Sequence, residues 1–232
     1  MLFDQFDRIR IVSLPTRQDR RLEMNDQLKE IGLSTDPRVA YFDAVSFDDP
    51  GPFLRKGSRG AFISHLNLLR EAAEAGASIL ILQDDCDFLP GIETYEIPVC
   101  DIFYGGYEAS NPHDLLNSGI IGAHFMGFSA HAATLAAEYL SAFLEPDFPP
   151  DPRAAQEPGY NPAIKPPIDG ALVWFRRAHP QLRTEFALLS RQRSSRTDIG
   201  DQRWFDKMLL PRKLVSIART IRRARHRTSG AN

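Results

Sequence analysis

Asp84, Asp85 and Asp87 put three carboxylates within four positions, directly after the apolar run Ile79-Leu80-Ile81-Leu82. Like charges this close repel unless something cationic sits among them. Clustered hard oxygens suit a divalent cation such as Mg2+ or Mn2+, above all one shared with substrate phosphates. The apolar run has the continuous hydrophobicity of a strand buried on both faces inside a parallel sheet. In open α/β sheets, ligands bind outside the carboxyl ends of the strands, where these acids would emerge. The plainer alternative is a loop that solvates its acids or caps a following turn.

The elements around this tip read in order. Arg8–Leu14 alternates polar and apolar residues and predicts a first strand. A helix follows from about Arg17 to Ile31, with Thr16 as its cap, Leu22, Leu28 and Ile31 among its apolar positions, and Gly32 as its stop. Val39–Val45 predicts a second strand. After a loop rich in Asp, Pro and Gly over 46–57, a second helix runs from about Gly60 to Ala75 and carries Ser64 and His65 in its first turns. A histidine there is either a packed residue or a catalyst. Asp101–Tyr107 predicts a strand ending in Gly105-Gly106, a pair that either lets backbone approach a ligand or makes a tight turn. Positions 108–119 read as loop, 120–128 as one or two short buried strands, and His131–Phe143 as a helix capped by Ser129. Eight prolines in 145–167 predict a long irregular segment of the kind that forms lids. Asp169 then heads a helix through Phe175, Phe186–Leu189 is a short strand, and 190–201 is polar and basic.

Composition narrows the class. The chain has 232 residues, 43% apolar and 25% charged, enough for one α/β domain with a full core. Two cysteines make no disulfide framework, and no Cys/His set has zinc spacing. The first residues lack the apolar stretch of a signal peptide, and no apolar run is long enough to span a bilayer, so the expected location is the cytoplasm. Net charge is −2, but positions 211–232 hold seven Lys/Arg and no acid, which leaves −9 on 1–210. Such a basic tail, with Leu214, Ile217 and Ile221 on one stripe, either docks peripherally on the anionic inner face of a membrane or stays solvated and disordered. Nucleic acid is a poor partner for an acidic body without a reading motif.

Three segments in order carry a resemblance: Ile11-Val12-Ser13-Leu14 with Arg17, Asp19, Arg20 and Arg21; Gly57-Ser58-Arg59-Gly60-Ala61-Phe62-Ile63-Ser64-His65; and Ile79-Leu80-Ile81-Leu82-Gln83-Asp84-Asp85. Together they resemble glycosyltransferase family 25, the lipooligosaccharide and collagen galactosyltransferase group, over roughly residues 8–200. Weaker matches are the strand and helix at Ala123–Phe143, Asp169 after the proline-rich segment, and Ser195 with Asp198-Ile199. Two positions depart from the family pattern: Ala61 stands where Cys is usual, and Gln83 where Glu is usual. Gln83 keeps an acceptor oxygen but loses a charge, and Asp87 is placed to supply the missing carboxylate.

The resemblance implies a GT-A-type α/β fold, a Rossmann-like mixed sheet flanked by helices, as a single catalytic domain over 1–210 with 211–232 as a tail. It implies an inverting transfer of a hexose, galactose from UDP-galactose in many members, to a saccharide or lipid-linked saccharide of lipopolysaccharide, lipooligosaccharide or another cell-surface glycan. Mn2+ (or Mg2+) would be held by Asp85 with Asp87. The donor would be met by Arg17, Asp19, Arg20 and Asp84, and closed over by Ser195 and Asp198. Inversion in one displacement needs a general base. Asp169 is the first candidate, though the same residue is equally suited to cap its helix, and His65 is the second. Two other classes compete: a catalytically silent nucleotide-sugar or glycan-binding protein on the same fold, through Gln83, and a metal-dependent phosphohydrolase using Asp84, Asp85 and Asp87.

Overall fold

A computed structural model describes residues 1–157 and 159–193. In chain order they form β1 (Arg8–Ser13), α1 (Gln18–Glu30), β2 (Val39–Asp43), α2 (Lys56–Glu74), β3 (Ile79–Gln83), β4 (Cys86–Phe88), β5 (Ile102–Tyr104), β6 (Glu108–Ala109), β7 (Ile120–Ile121), β8 (Phe125–Phe128), α3 (Ala130–Phe143), α4 (Ile168–Ala178), β9 (Thr184–Phe186) and β10 (Ser190–Gln192). Six strands make one mixed sheet in the order β2-β1-β3-β8-β5-β9. β1 pairs in parallel with both β2 and β3, and β8 runs antiparallel to its neighbours β3 and β5. Two small antiparallel pairs, β4 with β10 and β6 with β7, stand outside it.

The apolar run of β3 shows why this sheet is covered on both sides. Ile79 and Ile81 point into a core shared with α2, α3 and α4, while Leu80 and Leu82 point into a second core with Met24 and Leu28 of α1. All four are fully buried, as the two-sided burial of a central strand requires. The expected α/β class and the mixed sheet flanked by helices are therefore present. The boundary at 210 and the tail at 211–232 lie outside the described residues.

Several local expectations need correction. In α1 the buried positions are Arg20, Met24 and Leu28, spaced by four, while Leu22 is 67% exposed. Arg17 is the N-cap residue, and its side chain makes no capping bond, so Thr16 does not cap. α2 begins at Lys56, so Gly60 lies inside the helix rather than at its start. A Cβ on Gly60 would collide with the carbonyl oxygen of Val45, so the glycine permits close helix-to-loop packing. The polar 108–119 segment contains β6, and 190–192 forms β10 where no strand was expected. The strand anticipated at Phe186–Leu189 lies earlier, at Thr184–Phe186. Other punctuation is as read: Gly32 and Gly76 follow α1 and α2 with φ of 76° and 59°, and the Ser129 hydroxyl accepts from the Ala132 amide at the head of α3.

Antiparallel β8 matters most for function. Phe125 lies beside Leu82, and Met126 beside Tyr104. The start of β8 therefore shares an edge with the ends of β1, β3 and β5. That edge gathers Ser13, the Asp84-Asp85 turn, Gly105-Gly106 and His124.

Candidate functional site

The site is built on the two-residue turn Asp84-Asp85 between β3 and β4. Both aspartates are buried, each 4% exposed. The Asp84 amide donates to the Val12 carbonyl (3.1 Å), and the Arg193 amide donates to the Asp85 carbonyl (2.7 Å), so the turn is tied to β1 and to the end of β10. Around the carboxylates the nearest cation is a guanidinium. Arg20 Nη1 donates to Asp84 Oδ1 at 3.0 Å and lies 3.7 Å from Asp85 Oδ2. Ser13 Oγ donates to Asp84 Oδ2 at 2.7 Å, and Gln192 Nε2 reaches Asp85 Oδ2 at 3.3 Å. Asp85 Oδ1 is buried and has no hydrogen-bond partner. Burial pushes the Asp85 carboxyl above its ordinary range, against the pull of Arg20.

Asp87 faces a different cation. Arg193 Nε donates to Asp87 Oδ1 at 2.9 Å, and the same guanidinium also meets Glu23 on α1. Among the described residues, no three His, Cys, Asp or Glu side chains converge to hold a metal ion. Asp85, with its unpartnered oxygen, has the donor chemistry for one ligand position; Asp87 holds Arg193 instead.

The first turn of α1 divides its three expected donor-binding residues. Arg17 and Asp19 pair at the surface through two hydrogen bonds of 3.0 and 2.9 Å, which hold the Asp19 carboxyl down at about 2. Arg20 alone turns inward to the acidic tip. Arg21, one residue on, donates to both Oγ and the carbonyl of Ser13 and pairs with Asp43 at the end of β2.

Asp169 stands on the first turn of α4, but Pro167 is the N-cap residue. Its Oδ1 accepts from the amides of Gly122 (2.7 Å) and Ala123 (2.8 Å), in the loop that enters β8. The carboxylate thus fastens α4 to the sheet edge rather than capping its own helix. His65 is 1% exposed, with Nδ1 2.8 Å from the Ala61 carbonyl and Nε2 3.2 Å from the Ala123 carbonyl. Burial pushes its pKa down. Enclosed there with both ring nitrogens on backbone carbonyls, it braces the Ala123 peptide, which favours the packing reading of this histidine over the catalytic one. Ser195 and Asp198 lie outside the described residues.

Three residues at the edge were not singled out from the sequence. His124, next to the peptides that Asp169 binds, is 6% exposed, and its Nε2 lies 3.2 Å from Ser190 Oγ. A Cβ on Gly106 would collide with Ser190 Oγ and come within 2.6 Å of His124 Nε2. Gly105-Gly106 therefore serves close packing at the site rather than a turn alone, and that pair was the available signal for His124. Gln192 and Arg193 had no signal beyond lying in a polar, basic stretch. The proline-rich segment is pinned where Asp151 meets Arg177 (3.0 Å) and where the Lys165 amide donates to Pro52 (2.8 Å).

No protein-family model matches the chain, and no curated protein matches it. Among solved structures, one match is described as the crystal structure of a glycosyltransferase involved in the glycosylation of the major capsid of PBCV-1. The TM-score is 0.43 at 14% sequence identity, over 78% of this chain and 82% of that one. A likeness this coarse transfers no residue's role. Among the described residues, no helix is long and apolar enough to cross a membrane.

Proposed function

We propose that the protein is a glycosyltransferase of GT-A type, similar to family 25, that uses a nucleotide-sugar donor and a saccharide acceptor. The observation that supports it most is the unpartnered, buried Asp85 Oδ1 in the turn at the carboxyl end of the central strand β3. A buried carboxylate oxygen without a donor costs about 1–3 kcal/mol, so its retention there is best explained by a ligand that completes it. Asp85 would hold a divalent cation by its carboxylate once ligand binding uncovers that enclosed oxygen, with the remaining positions filled by diphosphate oxygens and water. The cation, when bound, offsets the charge that develops on a departing nucleoside diphosphate.

The chain's own residues have distinct tasks in this reading. Arg20 holds Asp84 and Asp85 in place and offers a guanidinium to phosphate oxygens. Asp169 is the base that takes the acceptor hydroxyl proton. Its Oδ1 is fixed by two amides, which leaves Oδ2 for that proton. A hexose from a UDP-sugar, galactose first among them, is the donor to test. The silent-binder reading is favoured by one feature: Arg20 and Gln192 already serve Asp85 Oδ2. The two-metal phosphohydrolase has no support among the described residues, since no three candidate ligands converge there.

A thermal-shift and turnover experiment tests the proposal. Mn2+ with UDP-galactose raises Tm and releases UDP when an acceptor is supplied, and Asp85→Ala abolishes both. A Tm shift without nucleotide release across a panel of donors and acceptors leaves the silent binder. The absence of any shift with any nucleotide sugar rejects both.

A further inference from the structure

Ser190 and His124 meet at the carboxyl edge in a contact whose direction decides the ring's tautomer. Ser190 Oγ lies 3.1 Å from the Gly105 carbonyl, which can take its single proton, and it also meets the Cys86 thiol. The same oxygen lies 3.2 Å from His124 Nε2; with its own proton on the Gly105 carbonyl it accepts across that contact, and Nε2 carries the hydrogen. Nδ1 is then the bare nitrogen. It makes no hydrogen bond among the described residues, and it is absent from the fully enclosed, unpaired atoms. Burial pushes the ring's pKa down to about 4, so it is neutral at pH 7, and with the proton on Nε2 its Nδ1 is a lone-pair acceptor.

Asp169 is the charge that acts most strongly on this ring, ahead of Glu108. Its Oδ1 is filled by the Gly122 and Ala123 amides, and its Oδ2 makes no hydrogen bond among the described residues. The two side chains are joined through the backbone, because Ala123 is bound by Asp169 and precedes His124. Two acceptor atoms without donors among the described residues, Nδ1 of a neutral ring and Oδ2 of a carboxylate, thus belong to side chains attached to the same short loop. Hydroxyl groups, which always bring a proton, complete such a pair; phosphate or carboxylate oxygens would repel it.

We propose that His124 is a hydroxyl-recognition residue, whose Nδ1 works beside the Asp169 carboxylate to bind neighbouring hydroxyls of a saccharide. This rests on the saccharide-handling reading above and assigns His124 to the acceptor sugar: Asp169 takes the hydroxyl that reacts, and His124 takes its neighbour. Gly106 is the enabling residue, since any side chain there displaces Ser190 or His124 and with them the tautomer.

The test uses the full chain labelled with 15N-histidine, at pH 7, with UDP and Mn2+ present. His124 is expected as the neutral Nε2–H tautomer. Its Nδ1 resonance should move on addition of at least one methyl glycoside of galactose, glucose, mannose or N-acetylglucosamine. His124→Phe should raise the acceptor KM about three- to tenfold while leaving the Tm shift by UDP-galactose and Mn2+ unchanged, a split that a general loss of structure would not give. An Nδ1–H tautomer, an imidazolium at pH 7, or an Nδ1 resonance indifferent to every glycoside overturns the assignment. The two readings fail separately. A moving resonance without nucleotide release keeps the hydroxyl site and removes the transferase. Nucleotide release with an unmoved resonance does the reverse. If His124→Phe does not fold, the measurements on the unaltered chain still decide.

Discussion

Arg20→Met tests whether a guanidinium holds the acidic tip together. Its side chain lies between Asp84 and Asp85, whose side chains are 6% and 5% exposed. Removing one partner of a buried ion pair costs about 3–5 kcal/mol, because the remaining charge is left without compensation. At about 2–4 °C per kcal/mol for a chain of this size, Tm should fall by about 6–20 °C. Asp84→Asn should cost less, since Ser13 keeps a hydrogen bond to the amide oxygen and Arg20 keeps Asp85. The double variant should be less destabilised than the sum of the two, with a coupling of about 0.5–3 kcal/mol. The loss should also depend on pH. Arg20 lowers the Asp85 pKa against burial, so without it that pKa rises further. A carboxyl raised above its unfolded value binds its proton more tightly when folded, so stability falls as pH climbs from about 4. The deficit of Arg20→Met should therefore be smaller at pH 5 than at pH 8. Urea titrations at both values, with matching thermal melts, make the measurement. A loss below about 1 kcal/mol, additive with Asp84→Asn and flat in pH, is the behaviour of an exposed pair and refutes the reasoning.

Gly60→Ala should lower Tm, since its Cβ meets a backbone carbonyl that cannot rotate away; overpacking of this kind costs about 1–3 kcal/mol, read by thermal melting. Stability should fall as pH drops from about 6.5 toward 4. The unfolded chain gains a proton on His124 in that window while the folded chain, with this pKa at about 4, does not. The contribution is about 3 kcal/mol at most, and urea titrations of His124→Gln should lose that part of the slope while His65 retains a share of the same sign. Gly106→Ala should leave far-ultraviolet circular dichroism intact while disturbing the His124–Ser190 contact, seen as a shifted His124 ring signal.

The parts of this fold that the sequence reveals are those where one physical demand acts alone. Ile79–Leu82 has to be buried on both faces, and no other element offers four adjacent apolar residues with three acids at their end. Helix stops at Gly32 and Gly76 are equally plain, because only glycine adopts that backbone without strain. Where two demands compete, the sequence misleads. Leu22 looks like core by type, yet the face of α1 is chosen by Arg20, which must reach Asp84. Asp169 looks like an N-cap because a capping acid and a buried hydrogen-bond acceptor have the same composition. β10 is invisible because its residues, Ser190-Arg191-Gln192, are polar; they pair with β4 for backbone bonds and for the ends they present to Asp85 and His124.

The reversal of β8 explains why the candidate site can include residues so far apart in sequence. In an all-parallel sheet the carboxyl edge receives only strand ends, and each following loop leaves toward a helix. One antiparallel strand brings a strand start to that edge, so Gly122, Ala123 and His124 arrive with free amides and a ring. Asp169 takes the amides, and Ser190 sets the ring. Asp84 and Asp85, delivered by β3 from the opposite chain direction, take Arg20 and Ser13 instead. The two groups are joined at one backbone bond, from the Gln83 amide to the His124 carbonyl at 2.9 Å. The Asp84-Asp85 turn and the Gly122–His124 loop are thus fastened to adjacent strands of one sheet, so a substitution in one is felt at the other through that bond.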